Sequence, residues 1–189
     1  MRSWEATPSS SFQGINHLAL VSSDMARTVD FYTNVLGMPL IKTLEIPGGG
    51  QHFFFDCGNG DSLAFFWFPH APAAAPGIAS AGTLPGSGDI VSAHASMNHV
   101  AFDVPVERFD AYVQKLRDKG VEVSPILNHD DSESTVAREL HPGVFVRSVY
   151  FRDPDGVLLE FACWTREFGP DDVRHAPANA KGERVQLVG

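Results

Sequence analysis

The chain repeats itself, and that limits its fold more than any other feature. Residues 15–20 read INHLAL and residues 97–102 read MNHVAF, so that His99 stands 82 positions after His17 in the same local pattern. Each histidine comes after an asparagine and opens a short apolar run, which reads as a strand in each copy of the repeat.

The segments downstream of the two copies also correspond. After His17, the apolar residues Met25, Val29, Tyr32 and Leu36 recur at three- and four-residue spacing and stop at Gly37, which predicts a helix with a glycine cap. After His99, Phe109, Tyr112, Val113 and Leu116 do the same and stop at Gly120. Phe53-Phe54-Phe55 and Val149-Tyr150-Phe151 read as strands entering glycine-rich turns that lead into a further apolar strand. Setting Gly60 against Gly156 places Leu63-Ala64-Phe65 opposite Leu159-Glu160-Phe161.

Each half is therefore a βαβββ unit, too small to bury a good core alone but adequate in a pair. The expected class is α+β, one domain built from two paired βαβββ modules. The boundaries are a tail over residues 1–12, then one domain over 13–165 made of module one (13–69), a connection (70–96) and module two (97–165). A second tail covers 166–189.

A histidine in an apolar strand is ordinarily structural. Two in the same slot of a repeat are different, because approximate two-fold symmetry would turn them toward one another. Glu160 lies inside the apolar run 157–162, where an unpartnered carboxylate is costly, and it would complete the set; Ala64 holds the corresponding slot of module one. Two imidazoles and one carboxylate with open positions suit Fe(II), and Mn, Zn, Ni or Co would also bind them. His17, His99 and Glu160 are the expected ligands.

These residues resemble the vicinal oxygen chelate superfamily, which includes glyoxalase I, fosfomycin-resistance enzymes, bleomycin-binding proteins and type I extradiol dioxygenases, and the resemblance implies that the paired βαβββ modules form a cupped mixed sheet around a metal site. The spacing of His141, Val149-Tyr150, Asp153-Pro154, Gly156 and Glu160 is similar to the extradiol signature, although Glu139 departs from its first element. That resemblance implies an Fe(II)-dependent dioxygenase cleaving a catechol-like compound in aromatic catabolism, with dioxygen as co-substrate and Tyr150 and His141 contacting substrate oxygens. The family's acid/base histidine is replaced by Asp61, a weaker base; His70 or His94, from the connection, are substitutes.

Two alternatives stand beside this expectation. One is a redox-neutral lyase, isomerase or thiol transferase on the same scaffold, although the thiol transferases usually carry a Thr where Ala19 stands and glyoxalase I a Glu or Gln at the slot of Ala64. The other is a binding protein holding a planar molecule between Phe66, Trp67 and Trp164.

Composition excludes several classes. The net charge of -9 opposes nucleic-acid binding, and no apolar run approaches the roughly 20 residues needed to span a membrane. With only Cys57 and Cys163, free thiols in a reducing cytoplasm are expected, in a homodimer acting on a small molecule. The long Ala/Pro/Gly-rich connection reads as a lid, a dimer arm or a mobile linker. The acidic stretch 128–139 reads as a solvated rim loop, with Arg138 or His129 as specificity candidates.

Overall fold

The computed structural model describes residues 14–85, 92–169, 172–173 and 175–185; the expected N-terminal tail over 1–12 lies outside them. The repeat is realised as two sheets. In module one, β1 (His17–Ser22), β2 (Leu40–Ile46), β3 (Gly50–Gly58) and β4 (Asp61–Trp67) form a sheet of order β1-β4-β3-β2. In module two, β5 (Val100–Asp103), β6 (Leu127–His129), β7 (Val136–Ala137), β8 (Val146–Arg152) and β9 (Leu158–Trp164) form a sheet of order β5-β9-β8-β6-β7. In both, the strand at the histidine pairs in parallel with the last long strand, which pairs antiparallel with its predecessor.

The helices arise where the periodicity places them. Asp24 caps α1 (Met25–Asp30) by accepting from the Arg27 N–H, which satisfies one of the free amides of the first turn. The segment then widens into a π-helix over Phe31–Leu36 and ends at Gly37, whose φ of 87° suits a glycine and whose N–H returns to the Tyr32 carbonyl. A 3-10 turn leads into α2 (Phe109–Asp118), which buries Phe109, Val113 and Leu116.

One core joins the two modules. Tyr32, Phe55, Leu63 and Phe65 from module one pack in the same cluster as Phe109, Leu116, Phe151 and Phe161 from module two. At the joint, the turn after β8 docks on α1: Ser23 N–H donates to Asp155 at 2.9 Å, Arg27 to the Pro154 carbonyl at 3.1 Å, and the Tyr32 hydroxyl to Asp153 at 3.2 Å. Lys115 closes the other end by donating to the Leu36 carbonyl at 3.0 Å.

Two expectations change with the fold. The stretch 128–139 is no plain loop, because its ends pair as β6 and β7 and extend the second sheet. The connection packs at Ser80 and Ala81, which are buried; Ala81 lies against Tyr150 and Leu158. Phe168, in the second tail, packs its ring near Trp164 and Phe145.

Candidate functional site

Strand alternation gives each sheet a helix-facing side and an opposite side. Leu63 and Phe65 of β4, and Leu159 and Phe161 of β9, are buried in the common core. Their neighbours Ala64 and Glu160 therefore lie on the opposite faces, as the alignment of the two halves requires. His17 shares that face in module one, because it pairs with Ser62 two residues before Ala64.

Module two assembles most of the expected centre. His99 Nε2 lies 2.9 Å from Glu160 Oε2, and the hydroxyl of fully buried Ser148 donates to the other carboxylate oxygen. Burial alone would raise the Glu160 carboxyl, but the hydrogen bonds from His99 and Ser148 outweigh it and hold the group below the usual carboxylate value. Tyr150 pairs across the ladder with Glu160 and meets the His99 ring edge-on at 5.5 Å between centroids. Burial first, and then the Glu160 charge, push the Tyr150 phenol up to about 12, so it keeps its proton and is a hydrogen-bond donor at any ordinary pH.

Module one presents a different surface. His17 is exposed, and its ring meets Phe54 edge-on at 5.7 Å. Among the described residues of one chain, no group of three His, Cys, Asp or Glu side chains comes together to hold a metal. A single chain brings His99 and Glu160 together and does not bring His17 to them.

The remaining candidates are spread out. Asp61 begins β4 on the side of Leu63, the helix-facing side, and its carboxylate lies against Gly14. His141 is exposed in the loop before β8, with Nε2 3.1 Å from Asp130 and Nδ1 accepting the Gly143 N–H. His70 and His94 occupy exposed turns. One residue of the site escapes the sequence reading: His52, on the same face as Phe54, stacks on Phe66 with centroids 3.6 Å apart, and its buried Nε2 has no hydrogen-bond partner. Burial and then the neighbouring His17 lower its pKa. Its one signal in the sequence is its place in β3 two residues before Phe54, directly ahead of the Phe53-Phe54-Phe55 run.

The fold has counterparts among known proteins. The family described as Glyoxalase/Bleomycin resistance protein/Dioxygenase superfamily matches residues 14–161, and the chain belongs to it. The metallothiol transferase FosB of Shouchella clausii is 28% identical over 148 residues, 78% of this chain and 77% of that protein. The fosfomycin resistance protein FosX of Listeria monocytogenes is 23% identical over 154 residues, 82% of this chain and 92% of that one. Its crystal structure with Mn(II) and sulfate matches with a TM-score of 0.52 at 20% identity, covering 82% of this chain and 94% of that one. A glyoxalase family protein from Enterococcus faecalis matches with a TM-score of 0.54 at 24% identity, covering 80% and 98% of the two chains.

These relatives overturn the ring-cleavage expectation. They are a thiol transferase and fosfomycin resistance proteins, not extradiol dioxygenases, and with that reading fall the dioxygen co-substrate and the role in aromatic catabolism. The structure supplies the physical reason the signature misleads. Asp153, Pro154 and Asp155 form the joint between modules, Asp153 Oδ1 accepting from Asp155 N–H and Val157 N–H at 2.9 and 2.8 Å, while Gly156 takes a φ of 84°. Their spacing is what the turn and joint require, so it says nothing about the reaction. The acid/base candidate Asp61 is on the wrong side of its sheet, and His141 is engaged by Asp130.

Proposed function

We propose that this protein is a redox-neutral, metal-dependent enzyme that adds a thiol or water nucleophile to a small oxygenated electrophile, with the epoxide fosfomycin as the first candidate substrate. The observation that carries the reading is the His99–Glu160 pair, buttressed by Ser148 and flanked by a protonated Tyr150. Similarity to FosB and FosX supports the reaction class.

The donor set fits a divalent ion: His99 and Glu160 turn a nitrogen and a carboxylate oxygen toward one point, and His17, in the equivalent slot, supplies a second imidazole. Mn(II), present in the FosX structure, is the first ion to test. Such an ion would act as a Lewis acid on a substrate oxygen and lower the cost of negative charge developing there.

The residues of the chain do the rest. Tyr150 keeps its proton and can donate a hydrogen bond to the oxygen that gains charge. Ser148 holds one Glu160 oxygen, which fixes the other toward His99. Lys42 pairs with Phe54 and shares its face, a cation suited to an acidic group on the substrate, and the unpartnered His52 Nε2 belongs to the same apolar wall.

Because one chain keeps His17 apart, the complete set is formed in a homodimer, with His17 of a second copy closing the site of the first. The openness of module one's face supports this: His17 and Ala19 are exposed, and Val21 is 51% exposed. A symmetric pair makes two such sites.

The test is to load the purified protein with Mn(II), incubate it with fosfomycin with and without cysteine, and monitor phosphorus by NMR. Conversion to a thiol adduct or a diol supports the reading and distinguishes its two forms. Unchanged fosfomycin under both conditions, with the metal fully bound, would remove this substrate class.

A further inference from the structure

The repeat preserves more than a histidine. Each is preceded by an asparagine, and in each half that asparagine's side-chain oxygen faces the histidine Nδ1, at 2.8 Å for Asn16 and His17 and at 2.7 Å for Asn98 and His99. Consecutive residues of a regular strand point to opposite faces. An i to i+1 side-chain bond of this kind needs the asparagine just outside the strand, and that is where both lie: β1 begins at His17 and β5 at Val100.

Both asparagines are anchored through their backbones. The Asn16 carbonyl accepts the Ser62 N–H at 3.1 Å, which ties it to β4. The Asn98 carbonyl accepts the Ala81 N–H and the Ser80 hydroxyl, each at 3.3 Å, while Ser80 Oγ also accepts the Leu158 N–H at 2.9 Å. The packed part of the connection therefore clamps Asn98 to the start of the strand that carries Glu160.

We infer that Asn16 and Asn98 are positioning residues that lock the two histidines in the tautomer with hydrogen on Nδ1, leaving the Nε2 lone pair as the ligating one; the metal-binding role itself rests on the function proposed above. A neutral imidazole carries one N–H and one lone pair. A fixed acceptor beside Nδ1 keeps the hydrogen there. At His99 the remaining nitrogen, Nε2, faces Glu160 at 2.9 Å and donates a hydrogen bond to it while no ion is bound; an ion between the two would take the place of that proton, and the hydrogen on Nδ1 would stay. The bond also fixes the ring's rotation, so the lone pair is aimed before any ion arrives, and groups of this kind typically carry about 10- to 100-fold in metal affinity.

Four variants of the full-length protein test this: Asn98→Leu and Asn16→Leu, which remove the acceptor at similar size, and Asn98→Asp and Asn16→Asp, which keep it. Two readouts are taken on each, Mn(II) affinity by competition with a chelator, and the ring tautomer at about pH 8 by long-range nitrogen–proton NMR, read for His17 in the metal-free protein and for His99 in the protein loaded with diamagnetic Zn(II). Wild type and the Asp variants should show the Nδ1–H form at both histidines and bind Mn(II) within a few-fold of one another. The Leu variants should lose that tautomer at the affected ring and bind roughly 10- to 100-fold more weakly. Leu variants that keep both the wild-type tautomer and the wild-type affinity would overturn the inference. A wild-type protein that binds no metal would defeat the proposed function instead, and the tautomer of His17 would still decide whether the lock exists. Far-UV circular dichroism on each variant identifies any that fails to fold; Asn98→Ala or Asn16→Ala, which also removes the acceptor, then takes the place of the unfolded Leu variant.

Discussion

The two modules share a topology but differ in what their outer faces hold. Module two's face is nearly finished: Ser148, Tyr150 and Glu160 are buried, and the connection covers Tyr150 and Leu158 through Ala81. Module one's face is open, with an exposed histidine, alanine in the slot of the carboxylate, and Phe54 and Phe66 flanking the unpartnered His52. The repeat sets the shape of both halves, but the polar chemistry is divided unequally between them. A buried carboxylate can be kept only where hydrogen bonds hold its charge, and His99 and Ser148 of module two supply them to Glu160.

The inequality of the two faces is tested most severely by removing the residue that makes module two different. Glu160→Ala should abolish retention of Mn(II), measured by metal analysis after gel filtration; Ala64 shows that an alanine fits this slot of the fold. Wild-type metal content in that variant would show that the two faces are not unequal in the way described.

The next effect concerns Tyr150 in the metal-free protein. Its folded-state value of about 12 lies above the ordinary value of 10, so the phenol contributes stability that is fully present below about pH 10 and lost as pH rises through about 12. Two pH units correspond to at most about 3 kcal/mol. Urea unfolding across pH 9 to 11.5 should show a steeper loss in wild type than in Tyr150→Phe. Equal slopes would place the phenol in water.

A smaller effect is expected at the joint between modules. Tyr32→Phe removes the donor to buried Asp153 and should cost about 1–2 kcal/mol in the same urea assay, with no change in Mn(II) affinity. The smallest is at His52. Replacing it with Phe keeps the stack on Phe66 and deletes a buried nitrogen that has no partner, so stability should hold or rise by about 1 kcal/mol while turnover falls. A loss of stability would mean that His52 has a structural partner in the dimer.

Much of this is legible in the sequence, for physical reasons that can be named. The apolar runs that follow His17 and His99, the glycine stops at Gly37 and Gly120, and the slot correspondence of Ala64 and Glu160 all arise from local backbone geometry, and each is where the sequence pattern puts it. Less legible is anything set by packing between distant segments. The widening of the first helix into a π-helix comes where Tyr32 reaches Asp153, 121 positions away. Ser80 and Ala81 look like linker residues, yet they clamp β9 and Asn98. The turn over residues 153–156 carries the most misleading signal, because a joint required by the fold has the spacing of a catalytic signature. Whether two faces of one chain meet or turn apart is not encoded in any local pattern, and so the repeat by itself predicts His17 beside His99 within a single chain.

Division of the ligand set between two chains is tested most directly by a mixed dimer. His17→Ala and Glu160→Ala chains with different affinity tags are co-expressed, and the mixed dimer is isolated through both tags. Each chain lacks one ligand, but if His17 of one copy completes the pair on the other, the mixed dimer contains one intact site and one doubly defective site. It should then bind Mn(II) at about half the wild-type amount per dimer, as two-fold symmetry requires, while each variant alone binds none. A mixed dimer as empty as its parents would contradict the shared site and return all three ligands to a single chain.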